Sequence, residues 1–178
     1  MKELLVVIDY QNDFVNGALG FEGAEGLDGP IAEKILEYRG RGADVIFTRD
    51  THGENYLETQ EGRKLPVVHC IEGSHGHELF GETAKQVRQG DIIIDKPSFG
   101  SMELARIAAE KGYERIELAG LVSNICVLTN AAVLKTALPE AEITVDAACT
   151  ASFDPRANTV ALDSMESIQI NVINRKDK

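Results

Sequence analysis

Short apolar runs recur along this chain, and most are followed by a segment of helical spacing. Leu4 to Ile8 is continuous, with three β-branched residues of five, as suits a strand covered on both faces. Asp44 to Thr48, Asp91 to Asp95, Arg115 to Leu118 and Glu142 to Val145 read as further strands, and Ile168 to Ile173 as a short last one. Between them lie helical patterns: Pro30 to Tyr38 ended by Gly40 and Gly42, Met102 to Lys111 between Ser101 and Gly112, Asn124 to Lys135 stopping before Pro139, and a helix opening at Asp154-Pro155. Leu79 to Arg88 reads as a short helix, and a polar, mostly charged tail runs from Asn174 to Lys178. Alternation of this kind marks a mostly parallel sheet with helices on both faces. The expected fold is α/β, a three-layer α/β/α arrangement on five or six strands, and 178 residues fit one domain spanning 1–178.

Two connections break the rhythm. Residues 15–30 hold five glycines and read as a loop, and residues 53–80 form a long polar connection with little periodicity. A loop that long inside a compact domain is usually functional or disordered, and its His, Cys, Pro, Tyr and Leu argue against disorder.

The formal net charge of −11 disfavours nucleic acid and anionic membranes as partners. No apolar run approaches the roughly 18 residues of a membrane span, and the N-terminal run is too short for a signal peptide. Three scattered cysteines, Cys70, Cys126 and Cys149, make no disulfide framework and fit a reducing, cytoplasmic setting. Cys70 and Cys149 read as small core residues. No GxGxxG or Walker A pattern points to a nucleotide cofactor; Gly23 and Gly26 lack the required spacing.

In open parallel sheets ligands bind beyond the carboxyl ends of the strands. Here those ends carry Asp9, Asp50-Thr51-His52, Lys96 and, after the fourth strand, Cys126. Each has an ordinary reading: Asp9 as a cap, Lys96 as an exposed lysine, Asp50-x-His52 as a strand-end cap, Cys126 as a buried thiol. Together they read as chemistry. Cys126, in the first turn of a helix, sits where the dipole favours a thiolate, and a thiolate attacks carbonyl carbon. Asp9 would take the thiol proton and return it to a leaving amine, with Lys96 favouring the thiolate and holding Asp9. Backbone N–H groups of Cys126 and of the turn at Val122 would receive a developing oxyanion. Asp50 and His52, with His69 and Glu61, suit a divalent metal such as zinc, iron or manganese. His75 and His77 flank Gly76 in a turn and read as exposed loop residues.

Three motifs then converge on a known family. Val7-Ile8-Asp9-Tyr10-Gln11-Asn12-Asp13-Phe14, Lys96-Pro97-Ser98-Phe99 and Gly120-Leu121-Val122-Ser123-Asn124-Ile125-Cys126-Val127 occur in order, and the chain resembles the isochorismatase-like cysteine hydrolases, nicotinamidases among them, over essentially its whole length. The resemblance implies a catalytic triad of Asp9, Lys96 and Cys126, and a non-proline cis peptide at Leu121–Val122 turning the Val122 N–H to the oxyanion. It implies metal ligands at Asp50, His52, His69 and Glu61, with Phe14 and Leu65 at the substrate. The implied reaction is hydrolysis of a small carboxamide through a thioester, nicotinamide to nicotinate and ammonia, which belongs to NAD salvage. The alternatives are a metal-free hydrolase of isochorismate or a ureido compound, and a catalytically silent binding protein. A homodimer or homotetramer is implied as well. Two features depart from nicotinamidases: the segment before Pro66 carries Leu65 where they usually have Trp, in a chain with no Trp, and Gly53 replaces the usual Pro after Asp-x-His.

Overall fold

A computed structural model of the protein describes residues 1–176; the final two residues of the tail lie outside the described residues. Six parallel strands form one sheet: β1 (Glu3–Ile8), β2 (Asp44–Asp50), β3 (Ile92–Lys96), β4 (Arg115–Leu121), β5 (Glu142–Ala151) and β6 (Asn171–Ile173). Their spatial order is β3-β2-β1-β4-β5-β6. The chain therefore builds outward from β1 in one direction, then returns to add β4 on its other side. That reversal opens a crevice at the carboxyl ends of β1 and β4, where ligands bind in sheets of this kind.

Alternation along β1 divides the core. Leu4, Val6 and Ile8 face one side, where they pack with Leu104 of α5 (Met102–Lys111), Leu134 of α6 (Leu128–Ala137) and Met165 of α7 (Pro155–Ser167). Leu5 and Val7 face the other, against Ile31 and Ile35 of α2 (Asp28–Gly40). The result is the three-layer arrangement expected. Helix ends follow their side chains. Ser101 Oγ accepts from Leu104 N at 3.0 Å, Gly112 closes α5 at φ +66°, and Asp154 Oδ1 accepts from Arg156 N at 2.8 Å. Among the described residues no helix is long and apolar enough to cross a membrane.

Several expected boundaries move. β4 continues past Leu118 to Leu121, and β5 continues past Val145 to Ala151 across an irregularity opposite Leu118 and Gly120. The short helix expected from Leu79 to Arg88 is α4, Gly81–Lys85, and the last strand is confined to Asn171–Ile173. Two short helices were not expected: α1 (Asn12–Val15) and α3 (Gln60–Lys64).

Candidate active site

The sheet register itself delivers the first group of side chains. Asp50 and Lys96 are paired neighbours at the ends of β2 and β3, and Asp9 follows β1 with its N–H on Thr48 O at 3.2 Å. Lys96 is 1% exposed, and its Nζ lies 2.6 Å from Asp9 Oδ2, 3.6 Å from Cys126 Sγ and 3.6 Å from Asp50 Oδ1. It also donates to Ser98 O at 3.0 Å. Asp9 Oδ1 accepts from Thr48 Oγ1 at 2.6 Å, so each carboxylate oxygen has a fixed partner. The acid, the lysine and the thiol named from the sequence thus meet at one buried point, and the lysine is not an exposed one.

The electrostatics differ from the expectation of a readily ionised thiol. Burial, then the negative charge of Asp9, push the Cys126 thiol well above its ordinary value, and the attraction of Lys96 does not offset them. Burial also raises Asp9, against the pull of Lys96. Burial alone would discharge Lys96, but Asp9, Cys126 and Asp50 outweigh it and hold the ammonium charged. Burial thus favours the protonated Cys126 thiol, beside an Asp9–Lys96 pair whose ammonium is held charged. A thiol in this state can hand its proton to a neighbouring carboxylate.

The turn carrying Cys126 is wide. Residues Ser123–Val127 form a π-helical turn, with Val127 N donating to Val122 O at 3.2 Å, before α6 begins at Leu128. Turns of this type recur at functional sites. The Leu121–Val122 peptide that leads into it is cis. Gly120 comes just before, at φ +114°, and a Cβ there would stand 2.0 Å from Ile8 O, so only glycine lets β4 pass the end of β1. Asn130, fully buried, donates to Cys126 O at 2.8 Å and Phe99 O at 2.9 Å, and accepts from Ser101 N at 3.0 Å. It ties the Cys126 turn to the loop that follows Lys96.

Beside this point four further ligand atoms converge. Single donor atoms of Asp50, His52, Glu61 and His69 all lie within 4.8 Å of one another. Asp50 Oδ2 meets His52 Nε2 at 2.9 Å and His69 Nε2 at 3.4 Å, and Glu61 Oε1 is 3.7 Å from His52 Nε2. His69 Nδ1 is committed to Val67 O at 2.7 Å, which leaves Nε2 as the nitrogen facing the cluster, the orientation usual for a metal-bound imidazole. Asp50 Oδ1 is buried with no hydrogen-bond partner. Burial would raise Asp50, but His52, His69 and Lys96 hold it well below the usual carboxylate range. Glu61 is pushed up by burial and then by Asp50. Two carboxylates and two imidazoles in this geometry fit a divalent cation.

The segment after Asp9 braces that cluster, a role that the motif Val7 to Phe14 did not by itself assign. Buried Gln11 accepts from Asp50 N at 2.7 Å and donates to Asp50 O and His77 O, each at 2.9 Å. Asp13 Oδ2 accepts from Cys70 N at 2.7 Å, next to His69. A Cβ on Gly76 would collide with the same carboxylate, at 2.0 Å from Oδ2. His75 is exposed as expected, but His77 is buried against Thr51 Oγ1 at 2.7 Å. Its polar partner lies on β2's extension, which a reading of the loop alone did not reveal. Cys70 and Cys149 are both buried and unbridged.

A cavity of about 460 Å³ opens onto both groups. Cys126, Val122, Asp50, Glu61 and His69 line it together with Phe14, Leu65, Leu19, Ile125, Phe99 and Phe153. The residues expected at the substrate, Phe14 and Leu65, are among them. Phe99 and Phe153 supply aromatic wall in a chain without tryptophan.

Residues 3–177 match the family model of the isochorismatase domain. An isochorismatase family protein of Bacillus subtilis, PncA, is 30% identical over 145 residues, 74% of this chain and 77% of that protein. The crystal structure of nicotinamidase/pyrazinamidase PncA from Bacillus subtilis has a TM-score of 0.86 at 28% identity, covering 97% of this chain and 99% of that one. Pyrazinamidase of Pyrococcus horikoshii in complex with zinc has a TM-score of 0.85 at 26% identity, covering 98% and 100%. N-carbamoylsarcosine amidase from Thermoplasma acidophilum has a TM-score of 0.80 at 25% identity, covering 100% and 98%.

Proposed function

The chain belongs to the isochorismatase family, and on that premise we propose that it hydrolyses the carboxamide of a small uncharged ring compound, nicotinamide foremost, to the carboxylate and ammonia. The observation that carries this reading is the cavity. It places Cys126 beside the Asp50, Glu61 and His69 donors within largely apolar walls, and no lysine or arginine is among the described residues lining it. Isochorismate and N-carbamoylsarcosine both carry carboxylates, for which the described lining residues offer no lysine or arginine partner. A neutral amide needs none.

The mechanism follows from the positions of the groups. Asp9 accepts the proton of Cys126 Sγ as sulfur bonds to the amide carbon. Lys96 stays charged and compensates the carboxylate and then the developing anion. The N–H groups of Val122 and Cys126 receive the oxyanion. Asp9 then donates its proton to the amide nitrogen, the C–N bond breaks and ammonia leaves. Water loses a proton to Asp9 and attacks the thioester; the C–S bond breaks, Asp9 returns the proton to Cys126 Sγ, and the carboxylic acid leaves. Asp50, His52, Glu61 and His69 would hold a divalent metal, zinc foremost. Bound there it supplies a Lewis acid for a ring nitrogen, while Phe14 packs against the ring. The three unbridged cysteines accord with a reducing, cytoplasmic compartment, and a homodimer or homotetramer is the assembly we propose, checked by mass in solution.

The test is ammonia release from nicotinamide by purified protein before and after chelation, beside Cys126→Ala. We expect release that chelation suppresses, that added zinc restores, and that the variant lowers by more than about a thousandfold. Undiminished turnover in Cys126→Ala overturns the nucleophile, and release indifferent to chelation overturns the metal.

A further inference from the structure

We propose that the cavity has a second compartment at its mouth, which takes an apolar group on the ring carbon opposite the two anchored edges of a pyridine carboxamide. This inference rests on the amidase reading above and adds a substrate class to it.

The first observation is volume. Nicotinamide has about nine non-hydrogen atoms. Even at liquid water's share of about 30 Å³ per molecule it would take roughly 270 Å³. The cavity holds about 460 Å³. The difference is room for about six further non-hydrogen atoms on the same scale.

The second observation is where that room lies. Cys126, Asp50 and His69, 5%, 3% and 2% exposed, form the buried floor, and Lys96 lies 3.6 Å from both Cys126 Sγ and Asp50 Oδ1. A pyridine carboxamide with its amide carbon at Cys126 and its nitrogen at the donors has carbon 2, which lies between those two edges, facing the floor. Carbon 5 is para to carbon 2 and so faces the mouth. It neighbours neither the nitrogen nor the carbon bearing the amide, so a group placed there blocks neither anchor.

The third observation is the character of the mouth. Leu65 at the end of α3, Phe99 after β3 and Phe153 after β5 are 39%, 42% and 61% exposed, and all three line the cavity. Three large apolar side chains from separate connections leave surface that an apolar group would cover. With no cation among the described lining residues, the group is uncharged: an alkyl or aryl substituent rather than a carboxylate. The chemistry is unchanged, since water still replaces ammonia on the same carbon.

The experiment compares kcat/KM for nicotinamide and 5-phenylnicotinamide, in the metal-loaded protein and in Phe153→Ala. Phe153 is largely exposed, so its truncation leaves the core intact. We expect the phenyl compound to be favoured by about tenfold, within the range that added apolar contact gives in a pocket, and Phe153→Ala to reduce that preference at least about fivefold. A preference below one, or one that Phe153→Ala leaves unchanged, overturns the second compartment and leaves nicotinamide hydrolysis standing. Turnover of the phenyl compound alone supports the compartment and removes nicotinamide as the substrate. Turnover of neither overturns the amidase reading and this inference with it.

Discussion

Lys96→Met isolates what the buried ammonium does. Methionine is apolar and similar in length, so the change deletes the charge and keeps most of the packing. In the native site Nζ is 2.6 Å from Asp9 Oδ2. At an effective dielectric constant near 20, that contact is worth about 6 kcal/mol of Coulomb attraction. Desolvation of the ammonium opposes part of it, and breaking a buried pair by removing one partner typically costs about 3–5 kcal/mol. At about 1.4 kcal/mol per pKa unit, this is about two to four units on Asp9. Burial already holds that carboxyl above its ordinary value. In the variant it therefore keeps its proton to higher pH and is a poorer acceptor for the proton of Cys126. The acid limb of kcat/KM for amide hydrolysis should move up by about two to four pH units. Stability gives an independent reading by urea denaturation. A carboxyl whose folded pKa is raised above its unfolded value contributes no penalty below the unfolded value, and stability falls as pH rises through the folded one. Lys96→Met should therefore approach wild-type stability in acid and lose about 3–5 kcal/mol above neutrality. Asp9→Asn combined with Lys96→Met should recover much of that loss. If the two single changes simply add within about 0.5 kcal/mol, the pair is not what organises the site.

In the native protein kcat/KM should rise with pH through a midpoint above the usual aspartate value and stay level past pH 9, because burial raises both Asp9 and the Cys126 thiol, the latter above its ordinary 9.0; an alkaline limb below that value contradicts a resting neutral thiol. Gln11→Leu removes the bonds that fix Asp50 and His77 and should weaken zinc binding by about 10–100-fold in a chelator competition; an unchanged affinity means Asp50 is held without it. Lys34, on α2, lies 2.5 Å from Glu117 of β4 and 2.8 Å from Asp146 of β5, with all three side chains largely buried. Lys34→Met should cost about 3–5 kcal/mol in denaturation while leaving the alkylation rate of Cys126 as it was; a loss under about 1 kcal/mol would show that water screens the cluster.

That same cluster explains one boundary the sequence concealed. β5 reads as ending at Val145 because Asp146-Ala147-Ala148 lacks strand character. Yet Asp146 is buried, bonded to Lys34 and to Asn174, and the strand runs on beyond it to Ala151. Its partners are remote in sequence, so no local pattern carried the signal. The loop of residues 53–80 is a similar case. Its order comes from side chains reaching across, Gln11 to His77 O and Asp13 to Cys70 N, rather than from periodicity. By contrast β1, β2 and α5 were legible because a continuous apolar run, a capping serine and a closing glycine act within a few residues. The meeting of Asp9, Lys96 and Cys126 was legible once parallel topology was inferred, because strand ends in such a sheet share one edge. The state of the thiol was not. It depends on full burial and on a carboxylate whose distance no sequence gives.

The precision of the site has two different sources. Asp9, Asp50 and Lys96 sit at the ends of three adjacent strands, β1, β2 and β3, so sheet pairing fixes their separations, and Gln11 repeats that pairing with a side-chain amide on both Asp50 N and Asp50 O. Cys126 has no such support. It arrives from β4 across the switch point, through Gly120 packed on Ile8 O, the cis peptide and the wide turn, and Asn130 secures that turn to the loop after Lys96. Lys96 is where the two meet, touching Asp9, Asp50 and Cys126 from one buried nitrogen. Because Asp50 faces Lys96 with one oxygen and the imidazoles with the other, the charge on the lysine bears on both the proposed proton acceptor and the proposed metal donors. A change of charge at either group therefore acts on the other electrostatically through Asp50.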